Sequence, residues 1–452
     1  MKPTRSSVPN PRAGCASFFS SIVLPLDRDF PTTLSDCFLI SGCPLSLIPH
    51  RFVLNDVNIT GESCKPKEAQ MRKTAICSFL TAILLNCVAL AQVEDLPVKG
   101  VIPFELKEYL IVIKGKINGS QEQYNFLLDT GALTFIDRKV AEELGLKIKG
   151  NMAKMNALEM GEVSIPNIFA FMGFNLDEFK RLGVTLHGII GSNLLERFEV
   201  TIDYRKQRVI LSPDKEVKGE RSHGYRFKFT NHPVNYAPMI DCKINGDISI
   251  KAMVDTGQPY SIVFPFDFLD KLSARNSHLL VKSKGVIIKW PGTSTTDSYL
   301  WRIAQFEQQN LKLNDLMCCF AELPPLLSVP LLGKDYLCQF LITIDYPNDE
   351  ILFVPYEDAK FIKNEFSFGI NLIRGENNTI VVDGLWTGGS ADKAGIKVGD
   401  EIVECNSTPL HGDDIFKTRR LIKNEDVKEI RLVVKDKDGQ REVILHKEIL
   451  LK

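Results

Sequence analysis

Asp129 and Asp255 stand in the same setting. Each closes an apolar run, Phe126-Leu127-Leu128 and Ala252-Met253-Val254, and each is followed by Thr-Gly, as Thr130-Gly131 and Thr256-Gly257. An apolar run of this kind predicts a buried strand, and Thr-Gly a tight turn at its end. A buried strand fixes its last residue firmly, and a glycine lets backbone approach closely. Two carboxyl groups held this way and brought face to face would share one proton and could activate one water.

One Asp-Thr-Gly triplet is weak evidence, so the surroundings decide. They repeat. Lys116-Ile117-Asn118-Gly119 and Lys243-Ile244-Asn245-Gly246 each read as a hairpin turn feeding the strand that ends on the acid. After the first acid come Phe135-Ile136 and the helical pattern Arg138–Leu144, closed by Gly145. After the second come Ile262-Val263-Phe264 and a similar stretch, Phe266–Leu272. Ile189-Ile190-Gly191 answers Leu331-Leu332-Gly333, and Phe198–Tyr204 answers Phe340–Tyr346, both at an offset of 142 residues. The chain is internally duplicated, with two lobes on one plan.

The ordered pattern of apolar strand, Asp-Thr-Gly and apolar-apolar-Gly, given twice, resembles the retropepsin/pepsin-like aspartic proteases over about 98–355. The resemblance implies a mainly β, bilobal fold with one aspartate from each lobe meeting at the floor of a cleft. It implies Asp129 and Asp255 as the catalytic dyad, supported by Thr130, Gly131, Thr256 and Gly257. It also implies hydrolysis of peptide bonds without cofactor or metal, one acid acting as base toward water while the other hydrogen-bonds the scissile carbonyl. The family usually has Ala, Ser or Thr after the triplet. Ala132 fits, but Gln258 departs, and its amide is expected to crowd the cleft or hydrogen-bond Asp255.

The 452 residues carry a net charge of −1 and 44% hydrophobic residues, so nothing in the balance points to a nucleic-acid or membrane-surface partner. Residues 1–70 are rich in Pro, Ser and Cys and show no sustained period; they read as a non-native or disordered extension. Met71-Arg72-Lys73, the apolar run Ala75–Leu90 and Ala89-Leu90-Ala91 make a secretory signal peptide over 71–91. Export to a periplasm or cell envelope is the expectation, with lipid attachment at Cys87 as a lesser option. The alternative for 75–90, a buried helix or membrane anchor, is short for a span.

Five cysteines follow, Cys242, Cys318, Cys319, Cys338 and Cys405. They are read as small buried hydrophobes, with one bridge in the second lobe as the alternative. The histidines show no zinc-binding spacing. Lobe one is expected over 98–214 and lobe two over 225–355. A substrate-covering flap is placed at Asn151–Asn167, near Met152, Met155 and Met160, although those methionines are equally read as packing. A second candidate flap lies at Val286–Ile303, where Trp290, Tyr299 and Trp301 either grip a peptide or pack in the core.

A third domain, 362–450, contains Gly389-Ser390-Ala391-Asp392-Lys393-Ala394-Gly395-Ile396-Lys397-Val398-Gly399-Asp400-Glu401-Ile402, which resembles the corresponding run of PDZ domains. That implies a small β-barrel with two helices. Ser367-Phe368-Gly369-Ile370 corresponds to the loop whose backbone N–H groups capture a peptide carboxylate, so Phe368, Gly369 and Ile370 are the expected terminus-binding residues. The helix bearing Ile415, Thr418 and Leu421 would form the other wall. Two readings of different class follow. One is a self-sufficient monomeric endopeptidase acting on polypeptides and binding peptide C-termini. The other is a catalytically silent peptide-binding or quality-control scaffold.

Overall fold

Closed rings of strands organise both lobes. In the first, Leu110–Ile117, Tyr124–Asp129, Gly188–Gly191, Phe135–Ile136, Val163–Phe171 and Met152–Met160 hydrogen-bond in that order, and the last returns to the first through Lys116↔Glu159. In the second, Pro238–Ile244, Ile248–Val254, Leu331–Leu332, Ile262–Pro265, Leu311–Ala321 and Tyr299–Gln308 close through Lys243↔Glu307. The pairings match sense for sense. Each acid-bearing strand runs parallel to its apolar-apolar-Gly partner, by Leu128↔Ile190 and Val254↔Leu332. The structure is a computed structural model describing residues 99–213, 224–273, 280–289, 293, 297–324 and 327–451. The extension 1–70 and the signal segment 71–91 lie outside the described residues.

Burial explains the unbroken apolar run ahead of Asp129. Phe126 and Leu128 enter the main core with Ile111, Ile113 and Ile190. Leu127 points the other way, into a second cluster with Leu110, Val112, Leu176, Val184, Leu186 and Ile189. A strand covered on both faces loses the alternation of a half-exposed one. Helix Arg138–Glu143 starts at Asp137, whose Oδ1 accepts from Lys139 N (2.8 Å) and Val140 N (3.2 Å).

The lobes share a third layer. Glu199–Asp203 pairs with Phe340–Asp345, so a six-stranded sheet runs from Gly100–Lys107 in lobe one to Tyr225–Lys228 in lobe two. At its centre Thr201↔Thr343 are directly opposed and their hydroxyls lie 3.0 Å apart. These are equivalent positions of the duplication, 142 residues apart, so the local twofold axis passes between them.

The expected flaps take a different form. The Met152–Met160/Val163–Phe171 hairpin is barrel wall, with Met155 and Met160 in the core. Its tip is tied to Val101, by Glu162 N to Val101 O and Val101 N to Glu162 Oε2, each 3.0 Å. In lobe two the strands are Val281–Gly285 and Tyr299–Gln308, not Val286–Ile303. Trp301 is buried against Phe320, Tyr299 is half-buried, and Trp290 lies outside the described residues. Strand Val281–Gly285 leaves the lobe to pair with Ile380–Trp386 of the third domain, by Ser283↔Trp386. That domain has its own core around Phe368, Leu372, Ile402, Ile415 and Leu432.

The five cysteines above carry free thiols; Cys338 is half-buried and the rest are buried. Among the described residues no helix is long and apolar enough to cross a membrane, and no His/Cys/Asp/Glu group of metal-binding kind occurs.

Candidate active site

The two Thr-Gly turns lock into each other. Thr130 N donates to Thr256 Oγ1 and Thr256 N donates to Thr130 Oγ1, both at 3.1 Å. Each hydroxyl then donates to the carbonyl just before the opposite acid, Thr130 Oγ1 to Val254 O (2.7 Å) and Thr256 Oγ1 to Leu128 O (2.9 Å). Both threonines are fully buried. Four bonds across the lobe boundary therefore fix the relative height of the two strand ends.

The acids face each other above this lock. A Cβ placed on Gly131 would lie 2.5 Å from Asp255 Cγ, and one on Gly257 would lie 2.4 Å from Asp129 Oδ2. Only the absence of a side chain lets each turn sit against the opposite carboxyl. Each acid is oriented by its own loop, Gly131 N to Asp129 Oδ1 and Gly257 N to Asp255 Oδ1, both 2.8 Å. The two carboxyls act directly on one another. Burial raises the Asp129 carboxyl above its ordinary range, against the lowering effects of Gly131 N–H and Asp255. Burial first and the neighbouring Asp129 second hold Asp255 well above its own. Two acids so placed titrate as a pair, with one proton retained between them.

The segments behind the loops are as close. A Cβ on Gly191 would lie 2.2 Å from Leu133 C, and one on Gly333 would lie 1.8 Å from Gln258 Nε2. The Gln258 side chain does not enter the cleft. Its Nε2 donates to Tyr260 O (2.6 Å) and Leu331 O (3.2 Å), while its Oε1 accepts from Tyr260 N (2.9 Å). The amide satisfies buried backbone, and only the Gln258 backbone N–H acts on Asp255.

Three residues of this site escaped the sequence reading. Ser192 Oγ donates to Thr130 O (2.7 Å) and lies 2.9 Å from the Tyr346 hydroxyl. Asn235, buried in lobe two, donates from Nδ2 to Gly131 O in lobe one (2.5 Å). A signal for Asn235 was present. Glu108-Tyr109 and Asn235-Tyr236 are 127 residues apart, the offset that also relates Lys116 to Lys243.

In the third domain Phe368 is fully buried and Gly369 has φ +76°. Gly369 N donates to Ser367 Oγ (3.0 Å), so of the three expected N–H groups this one has an internal acceptor. Across from strand Ile370–Arg374, Ile415 and Thr418 of helix Ile415–Lys423 are buried and Leu421 is half-buried. The side chain that reaches the strand is Arg419, whose Nη1 donates to Leu372 O (2.6 Å).

Two β lobes whose Asp-Thr-Gly loops interlock beneath paired carboxyls define the aspartic-protease class of site. In agreement, residues 113–194 match the aspartyl protease family (Asp_protease_2), and residues 359–434 match the PDZ domain family. The chain thus joins an aspartyl protease domain to a PDZ domain. A comparison with curated proteins gives no match.

Proposed function

We propose that the chain is an aspartic endopeptidase in which Asp129 and Asp255 activate a water for attack on a peptide carbonyl. The observation that carries this reading is the reciprocal threonine lock, with each carboxyl seated against the opposite glycine. The lock holds two acids at one height on rigid strand ends, where a shared proton lets them act unequally. Asp129 is the more exposed of the two, so it is assigned the ionised, base role toward water. Asp255, 7% exposed, is assigned the shared proton and donates to the carbonyl oxygen as negative charge develops there. The proton taken by Asp129 then passes to the departing amine, and no covalent intermediate forms.

The substrate is an extended polypeptide, and the PDZ domain supplies a second, non-catalytic peptide site. The N-terminal basic-apolar-small pattern from Met71 supports an exported protein; an expressed chain that keeps residues 71–91 would count against it. The test of the enzyme reading uses purified protein with Asp129→Asn and Asp255→Asn variants, incubated with an unfolded protein from acidic to neutral pH. Cleavage seen by mass spectrometry should disappear in both variants. A folded chain that cuts nothing at any pH would favour the silent scaffold.

A further inference from the structure

The PDZ groove lies between strand Ile370–Arg374 and helix Ile415–Lys423, and a bound peptide would add there as a further strand. In this chain the groove already holds a carboxylate. Glu108 Oε1 accepts from Arg419 Nε (3.1 Å) and Glu108 Oε2 from Lys423 Nζ (2.5 Å). The same Arg419 occupies the strand edge, donating from Nη1 to Leu372 O (2.6 Å) and Asn371 Oδ1 (2.7 Å). The Glu108 side chain is 2% exposed and that of Arg419 10%. Burial acts to raise the Glu108 carboxyl, but Lys423 and Arg419 outweigh it and hold it below its ordinary range. Glu108 is therefore a fully engaged anion, not a surface ion pair.

Glu108 belongs to the protease lobe. It sits with φ +59° at the turn joining strands Gly100–Lys107 and Leu110–Ile117. The left-handed region is unfavourable for a residue with a side chain, so the turn is held in this form by its surroundings. The turn also flanks the cleft. Continuing the antiparallel register Val112↔Leu127 places Leu110 level with Asp129 and Tyr109 level with Thr130. The Tyr109 phenol feels the charges of Arg419, Glu108, Asp255 and Asp129.

Other ties also hold the PDZ domain to the lobes, and one lobe-one segment, Leu176–Leu182, lies against the groove strand Ile370–Arg374. Strand Val281–Gly285 extends its sheet, Arg181 pairs with Asp383 at 2.9 Å, and Gly183 packs on Ile415 and Phe416. A groove ligand leaves the pairing of Val281–Gly285 untouched. It competes with Glu108, and it meets the 176–183 segment beside the strand and at the start of the helix.

We propose that Glu108 is an internal ligand of the PDZ groove, and that a polypeptide C-terminus carrying an acidic side chain displaces it from Arg419 and Lys423, freeing the turn beside the cleft. The inference rests on the PDZ peptide-binding reading and deepens it, naming Arg419 and Lys423 as the specificity-determining residues. Charge complementarity selects the partner, since two cations on one helix already take one carboxylate here. The closed groove taxes any incoming peptide by the fraction of chains that are open.

The test uses the whole chain carrying Asp129→Asn, so that probes stay intact, with and without Glu108→Gln. Labelled hexapeptides ending in an apolar residue, with Glu or Gln at one of the three preceding positions, are titrated by fluorescence anisotropy. Glu108→Gln should tighten the acidic peptides about tenfold, as expected for a groove closed in about nine chains of ten. It should tighten the Gln peptides by the same factor, from a weaker starting affinity. Lys423→Met, at a side chain 56% exposed, should reduce the preference for acidic over neutral peptides. Acidic peptide should also speed amide exchange over residues 105–112.

Equal affinities with and without Glu108→Gln, equal affinities for Glu and Gln peptides, or no binding by either chain would each overturn the proposal. Because the readout needs no proteolysis, the two readings fail separately. Binding as described in a chain whose native form never cuts would spare this proposal and remove the protease. Cleavage without such binding would do the reverse.

Discussion

Thr256→Val tests whether the interlobe lock sets the geometry of the acids. The substitution keeps the shape and removes one hydroxyl. Two bonds go with it, Thr130 N–H to Thr256 Oγ1 and Thr256 Oγ1 to Leu128 O, leaving a buried donor and a buried acceptor without those partners. An unmet buried polar group costs about 1–3 kcal/mol, so the pair should cost about 3 kcal/mol. For a folded body of about 350 residues, unfolding entropy near 2 cal/mol/K per residue turns this into a Tm loss of about 4 °C. The kinetic effect should be larger than the thermal one suggests, because the lock fixes the relative height of Asp129 and Asp255. A misplacement of a fraction of an ångström should lower kcat by about tenfold or more, with KM little changed. Thermal melts and steady-state cleavage of a peptide reporter read the two effects separately. A variant that loses 4 °C yet keeps kcat within about twofold would show that the lock serves stability alone. An unchanged Tm would mean that the two bonds contribute nothing to holding the lobes together.

Gly257→Ala should abolish activity while leaving secondary structure by circular dichroism intact, since the new Cβ would lie 2.4 Å from Asp129 Oδ2. Asp255→Asn should change the pH dependence of stability as well as activity. The fold raises both acid pKa values, so their contribution is present at low pH and lost as pH rises from about 4 through the raised values. The variant should therefore melt higher than the parent at pH 7, each tenfold change in proton affinity being worth about 1.4 kcal/mol, and the gain should vanish near pH 4. Gln258→Ala should cost about 2–3 kcal/mol in denaturant titrations through its lost backbone bonds, without moving the pH profile of cleavage.

The facing pair of acids was legible in the sequence because duplication writes it twice. An apolar strand, an acid and Thr-Gly depend on local chemistry, and two copies in the same order of segments exclude coincidence. The same regularity exposed Ile189-Ile190-Gly191 and Leu331-Leu332-Gly333, whose glycines are demanded by contacts under 2.5 Å. Long-range partners were not legible. Nothing near Gln258 in the sequence says that its amide turns away to Tyr260 and Leu331. Nothing near Val281–Gly285 says that a lobe-two strand completes a PDZ sheet. The hairpin placed as a flap followed a correct strand–turn–strand pattern, but its function depends on Val101, about sixty residues earlier in the chain.

Glu108 and Asn235 stand at equivalent positions of the duplication and do unlike work. Asn235 clamps Gly131 from the opposite lobe; Glu108 reaches outward to helix Ile415–Lys423. Two identical subunits around one axis could not make that division, since any residue given to one side would appear on the other. Such a site receives an extended chain equally well in either direction. Fusing the copies removes that indifference. With a buried amide on Gly131 at one position and an acid tied to Arg419 and Lys423 at its equivalent, the two lobes are chemically distinct. A polypeptide laid across them would meet different walls with its N-terminal and C-terminal halves.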